Sequence, residues 1–491
     1  MRSVAKQLAT KGEIGFRMDA PQESEIYVKG DNGLYYTKWG LGQSFVETPF
    51  YWVHDLIFRV DPSEKSNLRN PAADTISELL FIFFCPSAVS ALGCTLIFLF
   101  GLRLGFSSRV SILLSLIYGI GTMVWPYSKT LMAETTCNTV LLGGIYGAAS
   151  YAFNMRSRWL VFSGICIGFA LITKSITISI VPVVVAYVLF KVPLKKSARD
   201  LIIFFAPGFL FLFAVQCLHN LIRYNSLFDF GYYGGRDVLG FCTPLYVGLW
   251  GMFFSPGKSF FLYTPVAILG LISFKRFFAK KKGEAAFFSM LVVALTLPHA
   301  CWWAWAGDWA WGPRFLLLIT PYIVLPIGIF IEHWRQKASI SRVLTVILIA
   351  FSVWIQVLGV SIHPFSFILS RTEVVNQFVD INAYTYAATY SEQAFVNFSP
   401  IFSHVLGNWW LFKHMIFPYD IWQDVPWRIL GDFHLATPTW VAGNRTIPYW
   451  WPVAFPLVAP DSLKWVFSLA IVNFLLVVLA GLRLKRLLLK K

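Results

Sequence analysis

Charge is what this sequence has least of. Asp, Glu, Lys and Arg together make up 13% of its 491 residues, about half the share that a water-soluble domain carries. A chain dissolved in water is excluded on that ground. Cysteine occurs seven times, at 85, 94, 137, 166, 217, 242 and 301, but never as CxxC. Neither a disulfide framework nor a thiolate zinc site has the spacing it needs. The histidines at 219, 299, 363, 404 and 414 form no HxxxH or HExxH. A P-loop, a dinucleotide-binding GxGxxG and a GxSxG nucleophile elbow are all missing, so soluble nucleotide chemistry and serine hydrolysis have no carrier.

What the chain has instead is apolar length. Hydrophobic residues account for 57% of it, with a mean hydropathy of +0.61. Apolar runs recur at about 20 residues, the length that crosses a bilayer as helix. In lipid every backbone group must be paired internally, which favours helices, and the alternating segments of a barrel are absent. Eleven spans are expected, at 78–100, 110–127, 133–153, 159–174, 175–190, 201–218, 259–274, 286–301, 315–331, 343–360 and 463–482. The fold class is an all-α polytopic membrane protein of about eleven transmembrane helices. The pair 159–174 and 175–190 abuts at Lys174, and both are short.

The formal charge of +16 is unevenly placed. Six alternate segments hold Arg103 and Arg109; Arg156 and Arg158; Lys191, Lys195, Lys196 and Arg199; Lys275, Arg276 and Lys280 to Lys282; Arg335, Lys337 and Arg342; and the tail Arg483, Lys485, Arg486, Lys490 and Lys491. These carry 21 of the 41 basic residues but only three acids, Asp200, Glu284 and Glu332. Short loops rich in Lys and Arg stay in the cytoplasm, so the excess marks one side of the membrane. It also argues against nucleic acid as a partner. Membrane lipid is the partner that this distribution fits.

Counted from those loops, residues 1–77 lie outside, as do 219–258 and 361–462, while the last helix and basic tail, 463–491, end inside. The transmembrane core is 78–360. The start, "MRSVAKQLATKGEIGF", has no apolar core and is neither signal peptide nor anchor. Either a helix upstream of it, giving twelve or more spans, or entry of 41–60 into the membrane would explain how 1–77 reaches the outside, and the upstream helix is the favoured expectation. Residues 41–60, with Glu47, His54 and Asp55, suit a helix lying in the interface. Segment 219–258 is rich in Gly and aromatics and is expected to re-enter or lie on the membrane. Segment 361–462 carries Trp409, Trp410, Trp422, Trp427, Trp440, Trp450 and Trp451; patches such as "NWWLFKHMIF" suggest helices resting on the surface.

Polar groups fit for chemistry gather in those outer segments. Glu134 stands where an outer turn enters a helix, and Asp19 is one of four early acids; a carboxylate near a span is a functional candidate because burying it unpaired is costly. Among the bases are Lys38, Lys129, Arg223, Arg236, Lys258 and Arg314. A phosphate at the interface wants such groups, although snorkelling toward headgroups is the plainer role for each. The stretch "WWAWAGDWAWGPRF", 302–315, holds five tryptophans. An interfacial aromatic belt accounts for the indoles but not for Asp308 and Arg314 among them. Indole faces also pack on sugars and cations. "GPR" starts a helix with Pro313 where its missing N–H costs nothing, placing Arg314 at an N-terminus suited to an anion.

Six stretches fall in an order that resembles one family: "DNGLYYTKWGLGQSFVETPFYW", "GTMVWPYSKTLMAE", "HNLIRYNSLFDFGYYGG", "SPGKSFFLYTP", "WWAWAGDWAWGPRFLLLITP" and "NFSPIFSH". The chain resembles the bacterial GT-C glycosyltransferases, related to protein O-mannosyltransferases and the lipid A aminoarabinose transferase. The resemblance implies an inner-membrane enzyme working on the outer face. It would transfer a sugar, with inversion, from a polyprenyl-phosphate carrier to a glycan, lipid or protein acceptor. The resemblance puts Lys38 near the donor phosphate, Glu134 at the acid of the second outer loop and Arg314 in the shared "GPR". Beside these carried-over positions, the residues themselves offer Lys129 as a further phosphate ligand, Asp308 and Asp19 as alternative catalytic acids, and Trp303, Trp305, Trp309 and Tyr36 as aromatics against the sugar. A divalent cation, Mg or Mn, is compatible and not required. The family's acidic pair after its first span has no counterpart here, which leaves the general base open. A flippase of lipid-linked sugars and a non-catalytic envelope assembly protein remain as alternatives.

Overall fold

The structure, a computed structural model, describes residues 2–17, 27–30, 32–58, 76–231, 240–307, 310–336, 338–362, 367 and 396–416. Ten of the eleven expected spans fall on helical segments; the eleventh, 463–482, lies outside the described residues. Helices run Ile76–Arg103, Ser108–Ile120, Ala133–Asn154, Arg158–Thr173, Val181–Lys191, Leu194–Tyr224, Ala267–Lys280, Lys282–Cys301, Arg314–Glu332 and Ser339–Ser361. Five of the described helical stretches are long and apolar enough to cross a membrane by themselves.

Two helices form the centre. Ala133–Asn154 is buried along most of its length although it carries Thr135, Thr136, Asn138, Thr139 and Ser150. It tolerates them because neighbours satisfy them: Asn138 Nδ2 donates to Tyr118 Oη at 2.7 Å and Thr139 Oγ1 to the Val89 carbonyl at 3.1 Å. Arg314–Glu332 runs beside it with Phe315 to Ile319 all buried. Leu194–Tyr224 is the opposite case. It packs on Arg158–Thr173 and leaves Ile202 70% and Phe211 69% exposed, a face suited to lipid.

Proline and glycine move two of the expected spans. The run 110–127 breaks after Ile120, where Gly121 and Thr122 end the helix, and resumes as a short turn, Val124–Tyr127. The run 259–274 holds a single turn, Phe260–Tyr263, and then breaks at Thr264–Pro265; the long helix starts at Ala267 and takes Lys275 and Arg276 into itself. Proline lacks the N–H that a continuous helix needs. The N-terminal part is a helix, Arg2–Lys11, a two-stranded antiparallel hairpin, Tyr27–Lys29 with Tyr35–Thr37, and a helix, Gly42–Phe58. Gly40 and Gly42 press on Ile172 and Thr173, where a β-carbon would collide. That close approach ties the hairpin to the end of the Arg158–Thr173 helix.

The connections segregate to two ends. At one end Ser107 meets Glu332 through its N–H at 3.0 Å and its hydroxyl at 3.2 Å. Lys280 meets His333 at 3.0 Å, Lys191 meets Glu284 at 2.8 Å, and Tyr151 meets Asp200 at 2.7 Å. The Arg103 guanidinium lies 4.7 Å from the Phe153 ring. Five of the six basic segments are thereby joined. At the other end Tyr127 donates to the Trp311 carbonyl, Lys258 to the Ala310 carbonyl and Gly257 N–H to the Asn397 carbonyl. This separation predicts that an impermeant maleimide reaches exposed Cys242 from one side of the membrane only. K282C in a C242S background should react from the opposite side alone; labelling of both from one side contradicts the arrangement.

Candidate active site

Three breaks in helical structure build the site at the end opposite the basic turns. Met132 is extended (φ −80, ψ 141), and the helix starts at Ala133 with Glu134 in its first turn, where the N-terminal dipole favours a carboxylate. Arg158–Thr173 ends at Lys174, whose backbone is extended (φ −144, ψ 111). The chain restarts as the tight turn Ser175–Ile180 and then as Val181–Lys191, with Pro182 in the opening turn. A continuous helix would clash at that proline. Arg314 opens the third element after Gly312 (φ +66) and Pro313.

Those breaks bring three charges together. Lys174 Nζ lies 2.7 Å from Glu134 Oε1, and Arg314 Nε lies 3.5 Å from the same oxygen. The glutamate side chain is 5% exposed, the lysine 15% and the arginine 24%. One carboxylate therefore faces two cations. Phe315 supports both: Lys174 Nζ is 4.6 Å and Arg314 Cζ 5.1 Å from its ring centroid. His299 stacks on the same ring at 4.7 Å and is fixed by a 2.6 Å bond between Nδ1 and the Leu295 carbonyl. Arg314 Nη1 also approaches Met132 Sδ at 3.9 Å. The arrangement can hold an anion of one to two charges, because desolvated cations near helix N-termini do that readily.

Lys38 lies at the same end. Arg223 Nη1 donates to the carbonyls of Thr37, Lys38 and Trp39 at 2.9, 2.8 and 3.2 Å, which fixes the backbone there. Two residues on, Gly40 rests on Ile172, next to Thr173 and Lys174. Lys129 is in the connection that precedes Glu134, and burial pushes its ammonium down to about 8. Tyr36 is 2% exposed and its hydroxyl accepts from Asn32 Nδ2 at 2.6 Å, which places it on the inside of the hairpin. Trp305 is likewise 2% exposed, packed on Phe398 and Gly251. Trp303 is half-buried, and its backbone N–H donates to the Gly240 carbonyl at 3.0 Å. Asp19, Asp308, Trp309 and Arg236 lie outside the described residues. Among the described residues no three His, Cys, Asp or Glu side chains gather as a metal site.

No family model matches the chain, and no curated protein does. Two solved structures are similar to it. One is the archaeal oligosaccharyltransferase AglB from Archaeoglobus fulgidus in complex with an inhibitory peptide and a dolichol-phosphate, at 12% identity and TM-score 0.43 over 72% of this chain and 50% of that one. The chain thus spans half the length of AglB. The other is ArnT from Cupriavidus metallidurans bound to undecaprenyl phosphate, at 12% identity and TM-score 0.41 over 84% of this chain and 73% of that one.

Lys174 is the site residue that sequence reasoning missed. Its signal was present: it is a lone cation between two short apolar runs, and an ionisable group in such a place is functional by default. Phe315 and His299 carried no signal, since an aromatic after "GPR" reads as core. Removing the shared carboxylate should show its structural weight. E134A strands two part-buried cations and should cost about 3–5 kcal/mol of stability, as breaking a buried pair does. K191A, at the more exposed Lys191–Glu284 pair, should cost about 0–1 kcal/mol. Equal shifts in detergent unfolding for the two variants would refute that ranking.

Proposed function

We propose that the chain is a GT-C-type glycosyltransferase that takes a sugar from a polyprenyl-phosphate carrier. The acceptor would be an envelope glycan, lipid or protein, and the working end is the one distant from the basic turns, facing outside. The observation that carries the reading is the pair of cations, Lys174 and Arg314, gathered on one carboxylate at the end opposite the basic turns. The motif order that resembles this class supports it independently.

In this reading the acceptor hydroxyl oxygen attacks the anomeric carbon from the face opposite the phosphate. The C1–O bond breaks, its electron pair stays on the phosphate oxygen, and inversion follows. Lys174 and Arg314 meet the charge that develops on that oxygen, which is where preorganised cations lower a barrier most. Lys38 and Lys129 add positive potential around the headgroup. Glu134 keeps the two cations in place, because a carboxylate already shared by both is poorly suited to take a proton. The general base is then assigned to Asp308 or Asp19, and Trp303 and Trp309 to the sugar.

K174M and R314A should each abolish transfer from a labelled polyprenyl-phosphate sugar to an envelope extract while folding is retained. R314K should keep part of it, since the charge survives but the planar fork does not. Undiminished transfer in K174M would remove the assignment, and lipid movement across the bilayer without transfer would favour a flippase. Lys129 gives a pH test. It is charged below about 8 and neutral above, so donor affinity should weaken as pH rises through that value. K129R, charged throughout, should flatten the profile; an identical profile would exclude Lys129 from the donor site.

A further inference from the structure

The end opposite the candidate active site holds a second group of cations that the transferase reading does not use. Three turns meet there: 103–108, 280–283 and 332–336. Gly105 has φ +82, and Lys281 Nζ lies over it, 3.8 Å from where a β-carbon would stand. The one acid in these turns, Glu332, is engaged by the N–H and the hydroxyl of Ser107. Lys280 Nζ donates to His333 Nε2 at 3.0 Å, and His333 Nδ1 bonds the Ile329 carbonyl at 3.0 Å. A ring whose Nδ1–H goes to a carbonyl and whose Nε2 accepts from an ammonium is neutral, so it orients Lys280 without compensating its charge. Glu284, the next acid along, is taken by Lys191. Among the described residues no carboxylate pairs with Lys280, Lys281 or Lys282.

We infer that this corner binds the phosphate of an anionic phospholipid through Lys280 and Lys281, with Lys282 at its rim. Two features favour a lipid over a soluble anion. The cations stand at the ends of helices whose flanks are apolar and open: Phe278 is 42% exposed, Leu271 55% and Leu102 38%. A headgroup at the turns would therefore lay its acyl chains along side chains that already face lipid. The lysines also sit at the membrane boundary of an excess of positive charge, where anionic headgroups concentrate. His333 and the Ser107–Glu332 contact fix the three turns relative to one another, so the site is formed before the lipid arrives.

The test uses the purified full chain in mixed bilayer discs of phosphatidylglycerol and phosphatidylcholine, with retained lipid measured by native mass spectrometry. Wild type should retain phosphatidylglycerol above its bulk share. K280Q/K281Q should lose that enrichment, and K280R/K281R should keep it, because the charge is preserved. Sugar transfer should be unchanged in all three, since none of these residues lies at the transfer site. No enrichment in wild type, or undiminished enrichment in K280Q/K281Q, overturns the inference. Displacement of the lipid by equimolar inorganic phosphate or by an oligonucleotide would overturn the assignment to a bilayer lipid.

Discussion

A single oxygen, Oε1 of Glu134, gathers the charges at the end of the protein opposite the basic turns. It faces Lys174 at 2.7 Å and Arg314 at 3.5 Å, so one carboxylate joins three helix boundaries distant in sequence. Each charge would be costly alone at the rim of an apolar bundle. Together they are tolerable, because each cation is held against the shared carboxylate. The helix that carries Glu134 is central and buried, so the anchor does not shift with the lipid around it. Phe315 adds a rigid floor beneath both cations.

The breaks in the helices are what make this geometry available. A continuous helix from 158 to 191 would keep Lys174 within a uniform ladder of backbone bonds. The extended backbone at Lys174 ends one helix and starts another, and places the ammonium at the junction. Pro182 enforces the restart, as Pro265 enforces another at the base of Ala267–Lys280. Around the site, backbone contacts do the fixing: Arg223 gathers three carbonyls of the hairpin, and Lys258 ties the Trp-rich loop through Ala310. The basic end has a different construction. Its acids are used in contacts between turns, and among the described residues no carboxylate pairs with Lys280, Lys281 or Lys282.

Much of this was legible in the sequence because the signals were statistical and long. Apolar runs placed ten helical segments, and the alternation of basic loops separated the two ends before any contact was known. Glu134 and Arg314 could be picked because charge amid apolar sequence is costly and therefore informative. What was not legible depends on local backbone detail. Lys174 read as a boundary between two weak spans, since nothing in a one-dimensional pattern says that a break turns a side chain toward a partner 40 residues away. Tyr36 and Trp305 were candidates for packing on a sugar, and the structure packs them against Asn32 and Phe398. Composition cannot tell an aromatic that lines a site from one that supports it. The spans at 110–127 and 259–274 were misplaced because Gly121 and Pro265 act through backbone geometry, which hydropathy does not record.

The central claim is that the Lys174–Arg314 pair, set by Glu134, is an anion site for a lipid phosphate. Equilibrium binding of a radiolabelled polyprenyl monophosphate to the purified protein tests it without requiring a known sugar or acceptor. The account predicts saturable binding that weakens with added salt and is lost in K174Q/R314Q, while K280Q/K281Q binds as wild type does. Binding of equal strength in wild type and K174Q/R314Q would contradict it.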